Sequence, residues 1–487
     1  MLTRRDFIRR LAGASLLATP AGTALLTPAA CGSRASRPNV ILILVDDHAH
    51  DALGYSGRYP FLETPNIDRL AAQGIQFRNS FVTTALCVPS RASLQTGCYV
   101  SRHGVTRNST PKEPGFQFGR LPTLPDVLHD NDYDTAFIGK WHLGSGEPFR
   151  AFDYWASLRW QGNYNKNWLN VNGQRIFEEE YVTDLLTRYA VRWLLQDATD
   201  SPFFLMLSHK AVHSPFVPAP RHAGRFATAS LPMPANYLDD LADKHPVTRQ
   251  RTLYAGLTFR ERRKLQNIPI PPSIVPKPWK TNDSDRLDYL RCILSVDESV
   301  GSVLDALDET GRADDTWVLL TSDQGFFMGE HQLFGKDLMY EAALRVPLLV
   351  RPPTGTAPAR AVDEMVLNID VAPTLIDLCG CPIPPSMQGA SFAPLLLGGE
   401  IPRPWRDAFF YEDVASEGRP TINGLRTTSW KLITYPGEDF EELYDLKNDP
   451  EELHNLAKDP GSAQTLAALR SQLAELRKAA TDPAPAA

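Results

Sequence analysis

Residues 84–97, TALCVPSRASLQTG, place a cysteine, a proline, an arginine and a glycine in an order that predicts an anion site. Pro89 suits the first turn of a helix that Gly97 would end, so the pattern puts Cys87 at the N-terminus of this helix. Backbone N–H groups and the helix dipole favour negative charge there, and the guanidinium of Arg91 suits a tetrahedral oxyanion. A buried structural cysteine is the default for an isolated Cys-x-Pro, but the surrounding residues favour a reactive position.

Polar side chains follow four apolar runs, each typical of a buried parallel strand. In open α/β sheets, ligands bind beyond the carboxyl ends of the strands, so these polar groups are expected to meet at one edge. The runs and the polar residues after them are 40–45 with Asp46 and Asp47, 135–138 with Lys140 and His142, 203–207 with His213, and 317–320 with Asp323 and Gln324.

A metal ion would hold the acidic groups of this edge together, since three carboxylates and an amide oxygen would otherwise repel one another. An all-oxygen set without a close His or Cys pair favours a hard cation, Ca²⁺ or Mg²⁺. The predicted ligands are Asp46, Asp47, Asp323 and Gln324.

Strands alternating with helices must position these groups, which predicts an α/β fold with a mainly parallel central sheet flanked by helices. A fifth buried parallel strand is predicted at 346–350. Helical patterns cover 65–74, 287–310 and 371–378.

The chain divides into parts by composition. We predict that residues 38–400 form the domain that carries the site, residues 401–475 a smaller C-terminal antiparallel-sheet subdomain ending in a helix, and residues 476–487 a disordered tail. Residues 230–282 look like an insertion, with seven Lys or Arg and one acidic residue in 244–264. This basic segment is either a solvated helix face or a rim that attracts a polyanionic substrate.

The 487 residues are 43% hydrophobic and carry a net charge of −7, so the chain can bury a large core and nothing global indicates nucleic-acid binding. Six sparse cysteines do not predict a disulfide framework. Residues 1–31 place four arginines before an apolar run, and TRRDFI resembles a twin-arginine export signal. We therefore expect a periplasmic or extracellular protein that uses the twin-arginine translocase, with Cys31 as a candidate site of lipid anchoring.

The run CVPSRASLQTG resembles the signature of the type I, formylglycine-dependent sulfatases of the alkaline phosphatase superfamily. The segment DD before it, and GKWHLG, TSDQG and FGKDLMYEAALRVPLLVR after it, stand in the order seen in that family, and the likeness covers roughly residues 38–456. The resemblance implies an alkaline-phosphatase-like fold, with 38–400 as the catalytic domain of a sulfuric ester hydrolase. DDHAHDALGYSG, DYW…QGNYN and SHKAVHSPFVPAP are most similar to bacterial carbohydrate sulfatases, particularly the N-acetylglucosamine-6-sulfatase-like branch.

The resemblance further implies that a formylglycine-generating maturase oxidises Cys87 to 3-oxoalanine (formylglycine). The hydrated aldehyde would attack sulfur in line and give a covalent sulfated intermediate. Ca²⁺, with Mg²⁺ less favoured, would be the metal, and its implied ligands are the oxygen derived from Cys87, Asp46, Asp47, Asp323 and Gln324.

The same resemblance assigns roles to five basic residues. Arg91, with the metal, would help to ionise one hydroxyl of the hydrate. Lys140 and Lys336 would bind sulfate oxygens and offset developing charge. His213 would protonate the leaving oxygen, and His142 would deprotonate the second hydroxyl so that sulfate is expelled.

The implied substrate is a sulfate ester on a glycan, with the sugar and the position open. Candidate substrate contacts are His331, Trp155 and Trp160, although loop polarity and core packing explain these residues equally well. One alternative function is a phosphonate monoester or phosphodiester hydrolase of the same superfamily. A second alternative, a non-catalytic glycan-binding surface protein, predicts the loss of a residue that the mechanism needs, yet the chain retains Cys87, Arg91, Lys140 and His213.

Overall fold

Apolar strands buried on both faces make up the centre of the structure. The computed structural model describes residues 37–108, 121–144, 151–199, 201–254, 283–354, 357–399, 404–415 and 419–482. The predicted export signal with Cys31, and residues 255–282 of the predicted insertion, lie outside these ranges. Within them, no helix has both the length and the apolar character needed to cross a membrane.

The described strands are, in chain order, β1 (Asn39–Val45), β2 (Ile75–Phe77), β3 (Ser80–Phe81), β4 (Asp134–Gly139), β5 (Tyr154–Leu158), β6 (Asn167–Val171), β7 (Gln174–Glu178), β8 (Phe203–Ser208), β9 (Thr316–Ser322), β10 (Phe327–Met328), β11 (Phe334–Gly335), β12 (Leu348–Arg351), β13 (Arg360–Val362), β14 (Val366–Leu367), β15 (Ala408–Asp413), β16 (Ile422–Thr427), β17 (Trp430–Thr434) and β18 (Glu441–Asp445). Ten of them form one sheet in the order β13-β2-β12-β9-β1-β8-β4-β5-β6-β7. Strands β15 to β18 form a separate antiparallel sheet, and β10-β11 and β14-β3 are two-stranded.

The described α-helices are α1 (Pro65–Ala72), α2 (Cys87–Thr96), α3 (Val100–His103), α4 (Leu124–Asp130), α5 (Val182–Arg192), α6 (Pro246–Tyr254), α7 (Asp283–Glu309), α8 (Glu341–Leu344), α9 (Asn368–Leu378), α10 (Ala393–Leu397) and α11 (Ala463–Thr481). The helices predicted at 65–74, 287–310 and 371–378 are present as α1, α7 and α9. The last two begin three or four residues earlier than their apolar patterns indicate.

The four predicted strands that precede polar residues are confirmed as β1, β4, β8 and β9, and they are parallel neighbours in the order β9-β1-β8-β4. The prediction of a fifth parallel strand at 346–350 is wrong in direction, because β12 runs antiparallel to β9. An apolar run buried on both faces has the same pattern in either direction, so its sequence carries no information about orientation.

Each face of the main sheet has its own core. In β1, Ile41 and Ile43 belong to a core shared with α5 and α7, whereas Leu42 and Leu44 belong to a second core shared with α2 and α9. Burying one such side chain contributes about 1.5–3 kcal/mol. Because alternate residues of β1 enter different cores, a shift of β1 by one residue would cost this contribution in both cores. The polar residues at the carboxyl ends of these strands are therefore held in place by packing on both faces.

The C-terminal sheet is covered by α11, which ends at Thr481. The prediction of a disordered tail from residue 476 is therefore wrong as far as Thr481, and residues 483–487 lie outside the described ranges. The physical reason is a continuing apolar stripe at helical spacing, whose buried members are Leu466, Leu469, Leu473 and Ala480.

A buried carboxylate joins the C-terminal sheet to the main part of the chain. Glu442, in β18, accepts hydrogen bonds from the hydroxyls of Tyr340 (2.8 Å), Tyr435 (2.6 Å) and Tyr444, and from the backbone N–H of His245 (3.2 Å). A buried carboxylate is costly unless it is fully hydrogen bonded, and here the partners come from both sides of the junction. The contact ties the sheet to the segment just before α8.

Replacing Glu442 with alanine is expected to lower the free energy of unfolding by about 2–4 kcal/mol, because three buried hydroxyls lose their acceptor. Glu438→Ala is the matched control, since Glu438 is half-exposed and pairs with His245 at 2.8 Å. Such exposed pairs contribute about 0–1 kcal/mol. Urea and thermal unfolding measure both variants, and equal destabilisation would contradict the role given to Glu442.

Candidate active site

Three carboxylates lie together at the carboxyl edge of the main sheet. Asp46 and Asp47 follow β1, and Asp323 follows the neighbouring strand β9. The pairing continues past the strands, since Asp323 N–H donates to Val45 O (3.2 Å) and Asp47 N–H donates to Asp323 Oδ1 (3.1 Å). One oxygen of each carboxylate lies within 4.8 Å of the other two, and all three side chains are buried. The cluster could therefore hold a metal ion.

Gln324 adds an amide oxygen to this set. Its amide nitrogen donates to Asp47 Oδ1 and lies 3.5 Å from Cys87 Sγ. Its amide oxygen is buried and has no hydrogen-bond partner within the described part of the chain. A buried acceptor without a donor is costly unless a ligand meets it. The four residues thus fit a hard cation bound through oxygen.

Cations compensate the buried carboxylates, and the contacting pairs are Asp46 with Lys140, Asp47 with Lys336, and Asp323 with Arg91. Burial would raise the pKa of Asp46, but Lys140, His213 and Arg91 together hold it well below the usual value. Burial, reinforced by the charge of Asp46, raises the pKa of Asp323 to about 7. Burial also raises the pKa of Asp47 despite its lysine partner. Lys140, Lys336 and Arg91 therefore do not fully compensate the burial of the carboxylates, and a further cation would stabilise their charged forms.

Cys87 is the first residue of α2, and the helix ends at Gly97, which has the left-handed φ of 63° that the sequence predicts for a cap. Its Sγ lies 2.8 Å from Lys336 Nζ and 3.9 Å from Asp46 Oδ1. Burial raises the pKa of the Cys87 thiol to about 12, so the unmodified side chain is protonated at neutral pH and is a poor nucleophile. An unmodified cysteine is therefore poorly suited to chemistry at this position.

Arg91 presents unused donors to the same point. Its Nη1 donates to Lys140 O (3.0 Å) and Ser208 Oγ (2.8 Å), which fixes the guanidinium. Its Nη2 is buried, lies 3.7 Å from Asp46 Oδ1 and has no hydrogen-bond partner in the described ranges. A rigid guanidinium with a free N–H edge is suited to an oxyanion.

Two polar residues anchor α2 to the edge that carries the carboxylate cluster. Ser90 Oγ donates to Asp323 O and accepts from Asn368 Nδ2 (3.0 Å), while Asn368 Oδ1 accepts from Thr83 N–H (3.1 Å). Sequence reasoning did not identify Asn368, because it lies 278 residues from Ser90 and has no local motif.

The turn after β4 delivers Lys140 and His142. Gly139 has a φ of 125°, and a Cβ there would lie 1.8 Å from Ser208 O, so only glycine fits. His142 is itself in the left-handed region, with a φ of 57°. Both its ring nitrogens are buried without a hydrogen-bond partner among the described residues, and burial, with the charge of Lys140, places its pKa well below the usual value. A neutral, unpartnered imidazole can accept a proton.

His213 is held by its backbone. Its N–H donates to Lys210 O (3.0 Å), and its carbonyl accepts from Tyr164 Oη (2.8 Å). Its ring Nδ1 lies 2.6 Å from Ser214 O, which leaves Nε2 toward the site, 3.9 Å from Asp47 Oδ2. Sequence patterns did not identify Tyr164 as a supporting residue, nor Lys210, whose buried Nζ lies 5.2 Å from the centre of the Tyr164 ring.

Lys336 is supported from the C-terminal side. The contacts of the segment that follows it include Asp337 with Arg251, Tyr340 with Glu442, and Glu341 with Lys431 and Arg426. The C-terminal sheet therefore helps to position a lysine of the site.

The described part of the basic segment 244–264 uses its charges within the protein. Lys244 Nζ donates to Asp243 Oδ1 and Leu453 O (both 2.8 Å), and Arg249 Nε donates to Leu241 O (2.7 Å). These charges are therefore used in contacts within the protein, which disfavours a rim for a polyanionic substrate in this part.

The three predicted substrate contacts occupy different surroundings. Trp160 lies beside the site, with its ring 5.9 Å from that of His142. Trp155 donates to Asn170 Oδ1 (3.3 Å) and packs against the core of the sheet, so the described contacts do not join it to the site. His331 is buried and bonded to Asp239 (2.8 Å).

Comparison with known proteins places the chain in a family. The sulfatase family profile matches residues 38–381, and the C-terminal profile of N-sulphoglucosamine sulphohydrolase matches residues 329–479. The N-acetylglucosamine-6-O-sulfatase of Bacteroides thetaiotaomicron is 34% identical over 480 residues, covering 88% of this chain and 84% of the relative.

Solved structures agree with the sequence matches. A protein in complex with its substrate D-glucosamine-2-N,6-O-disulfate superposes with a TM-score of 0.79 at 33% identity, covering 92% of this chain and 99% of the other. The phosphonate monoester hydrolase of Agrobacterium radiobacter superposes with a TM-score of 0.71 at 26% identity, covering 91% and 96%. The predicted alkaline-phosphatase-like α/β fold is confirmed. The chain belongs to the sulfatase family of enzymes.

Proposed function

We propose that this sulfatase removes sulfate from a sulfated carbohydrate, using formylglycine formed from Cys87 and a bound Ca²⁺. The observation that carries the proposal is the position of Cys87 Sγ, which lies 2.8 Å from Lys336 Nζ, 3.5 Å from Gln324 Nε2 and 3.9 Å from Asp46 Oδ1. A side chain at this point lies between two proposed metal ligands, Asp46 and Gln324, and Lys336, which would bind sulfate.

The metal would be held by Asp46, Asp47, Asp323 and Gln324, with the side chain of residue 87 beside them. When present, Ca²⁺ supplies positive charge and formylglycine supplies a hydrated aldehyde, with one hydroxyl to attack sulfur and a second to release sulfate.

The chain's own residues perform the remaining steps. Arg91 directs its free Nη2 to an oxyanion, and Lys140 and Lys336 offset charge on sulfate oxygens. Because Nδ1–H of His213 donates to Ser214 O, Nε2 bears a proton when the ring is an imidazolium, and from that form Nε2 protonates the leaving oxygen. His142, neutral and unpartnered, accepts the proton of the second hydroxyl.

The relatives support a substrate class. The B. thetaiotaomicron relative is an N-acetylglucosamine-6-O-sulfatase, and the structure with a TM-score of 0.79 holds a 6-O-sulfated glucosamine. We infer that this chain acts on a 6-sulfated glucosamine or N-acetylglucosamine residue. Residues 1–31 further support export by the twin-arginine translocase, after a formylglycine-generating maturase has acted.

The alternative is a phosphonate monoester hydrolase, which the match to the Agrobacterium enzyme supports. 4-Nitrophenyl sulfate and 4-nitrophenyl phenylphosphonate have the same leaving group, so a comparison of their hydrolysis rates separates the two activities. A higher kcat/KM for the phosphonate would favour the alternative.

Peptide mass spectrometry on the tryptic fragment 79–91 tests the nucleophile. Protein from its own host is expected to carry formylglycine at position 87, and Cys87→Ala is expected to fold and bind metal but to lack sulfatase activity. Unmodified cysteine in fully active protein would contradict the mechanism.

Calcium removal tests the metal site. EDTA is expected to abolish activity, and Ca²⁺ at about a hundred times its Kd is expected to restore it and to add about 2.7 kcal/mol to the stability. Gln324→Leu, which removes one oxygen ligand, should weaken Ca²⁺ binding by at least about tenfold. Asp297→Asn is the control, because Asp297 is a buried carboxylate whose bonds go to Asn66 and Ile67, away from the cluster. Calcium-dependent thermal shifts that are the same in wild type and Gln324→Leu would contradict the assignment.

Tyr164→Phe tests the support of His213. We expect kcat for a sugar sulfate to fall by about tenfold, with 4-nitrophenyl sulfate changed by less than about twofold, because nitrophenolate leaves without needing a proton. Tyr181→Phe is the matched control, since its hydroxyl donates to Val217 O (3.1 Å) on the same segment without touching His213. Equal losses on both substrates would show that Tyr164 has only a structural role.

A further inference from the structure

A cavity of about 460 Å³ lies where the loops after β1 and β9 meet the C-terminal sheet. Its volume falls within the range of ligand sites, roughly 300–1,000 Å³. The walls include the segment 49–51, Phe326 and Glu330, the segment 232–236, and, near the C-terminal sheet, Leu446 and residues 450–452. None of the catalytic residues assigned above lines it.

The cavity begins next to the metal-binding edge. Ala49 is two residues after Asp47, and Phe326 is two residues after Gln324. Two residues of extended chain span at most about 7 Å, so two walls of the cavity start within that distance of metal-ligand backbones. The cavity therefore borders the two loops that carry the proposed metal ligands.

A hydrogen-bond network fixes one acceptor in the wall. His331 lies with Nδ1 2.8 Å from Asp239 Oδ2, which places the ring proton on Nδ1 and makes Nε2 an acceptor. Asn236 Nδ2 donates to this Nε2 (3.2 Å) and to Glu451 O (3.0 Å). The orientation of the amide is thereby set, and Asn236 Oδ1 is left buried without a partner in the described part of the chain. His331 thus acts through Asn236, because both its nitrogens are occupied.

The charges of the wall are largely neutralised by one another. Arg58 bridges Asp51 and Glu330, and Arg426 pairs with Glu341 at 3.2 Å. Arg345, which also lines the cavity, directs Nε and Nη2 to Arg78 O. Asp51 keeps a second buried oxygen, Oδ1, with no hydrogen-bond partner among the described residues. The wall therefore has hydrogen-bond acceptors without donors, whereas most of its charges are paired. It suits a neutral ligand that carries hydroxyl or amide N–H donors.

We propose that this cavity binds the sugar portion of the substrate, with Asn236 Oδ1 and Asp51 Oδ1 accepting hydrogen bonds from its hydroxyl or amide groups. The inference rests on the proposed function, since it names where the carbohydrate of that reaction lies. The sulfate stays with Arg91, Lys140 and Lys336, and the cavity selects the ring that bears it.

Filling the mouth of the cavity is the test. Ala235 lines it and is exposed, so Ala235→Trp should fold and block the cavity. Leu238→Trp is the matched control, because Leu238 is 77% exposed in the same short helical segment and does not line the cavity. Each variant is assayed with N-acetylglucosamine 6-sulfate and with 4-nitrophenyl sulfate. Ala235→Trp is expected to lower kcat/KM at least tenfold for the sugar while changing the aryl ester less than twofold, and Leu238→Trp should change neither.

Asn236→Ala tests one hydrogen bond of the cavity. We expect kcat/KM for N-acetylglucosamine 6-sulfate to fall about three- to tenfold, the effect of losing one neutral hydrogen bond, and kcat/KM for 4-nitrophenyl sulfate to stay unchanged. Titration calorimetry of N-acetylglucosamine 6-sulfate into Cys87→Ala, with and without Ala235→Trp, measures binding without turnover. Unchanged sugar binding and turnover in Ala235→Trp, or equal losses on both substrates, would overturn the cavity assignment. Wild-type protein inactive on every sulfate ester would instead contradict the proposed function, and the calorimetry would still decide the cavity.

Discussion

The burial of three carboxylates at one point is the constraint on which the rest of the site depends. Their oxygens lie within 4.8 Å of one another. Two like charges at that distance repel by about 3 kcal/mol at an effective dielectric of about 20, and desolvation adds to this cost. Lys140, Lys336 and Arg91 offset this repulsion, whereas the free amide oxygen of Gln324 adds another acceptor to the cluster. A divalent ion would relieve the same repulsion while presenting positive charge to a substrate anion.

The backbone around the cluster departs from ordinary conformations. Asp47, His142 and Asp337 have φ values of 64°, 57° and 91°, and Gly139 has a φ of 125°. A residue with a Cβ in the left-handed region costs about 1–2 kcal/mol, so the surrounding packing must compensate. The two cores on either side of β1 provide it, as does the C-terminal sheet, which binds the segment after Lys336. The small sheet is thus part of the site's support, although the catalytic groups assigned here lie outside it.

The surroundings of Cys87 are informative because they are unfavourable for a thiol. Burial suppresses the thiolate, while Lys336 and Arg91 present positive charge that suits an oxyanion. The helix start, the cations and the acidic edge converge on one atom position, and the proposed oxidation of that side chain to formylglycine would remove the mismatch.

The sequence by itself determined the central strands, the position of Cys87 at a helix start, and which polar residues follow which strand, because strand and helix periodicity and caps are local patterns. It did not determine the direction of β12 or the helical end of the chain at residues 476–481. Only the tertiary structure placed Asn368 behind Ser90, Tyr164 behind His213, Lys210 beside Tyr164 and Asn236 beside His331. These partners lie up to 278 residues apart and belong to no local motif. The difference has a physical cause: backbone preference and burial pattern act over a few residues, whereas the partners of a buried polar group are selected by the packing of the whole chain.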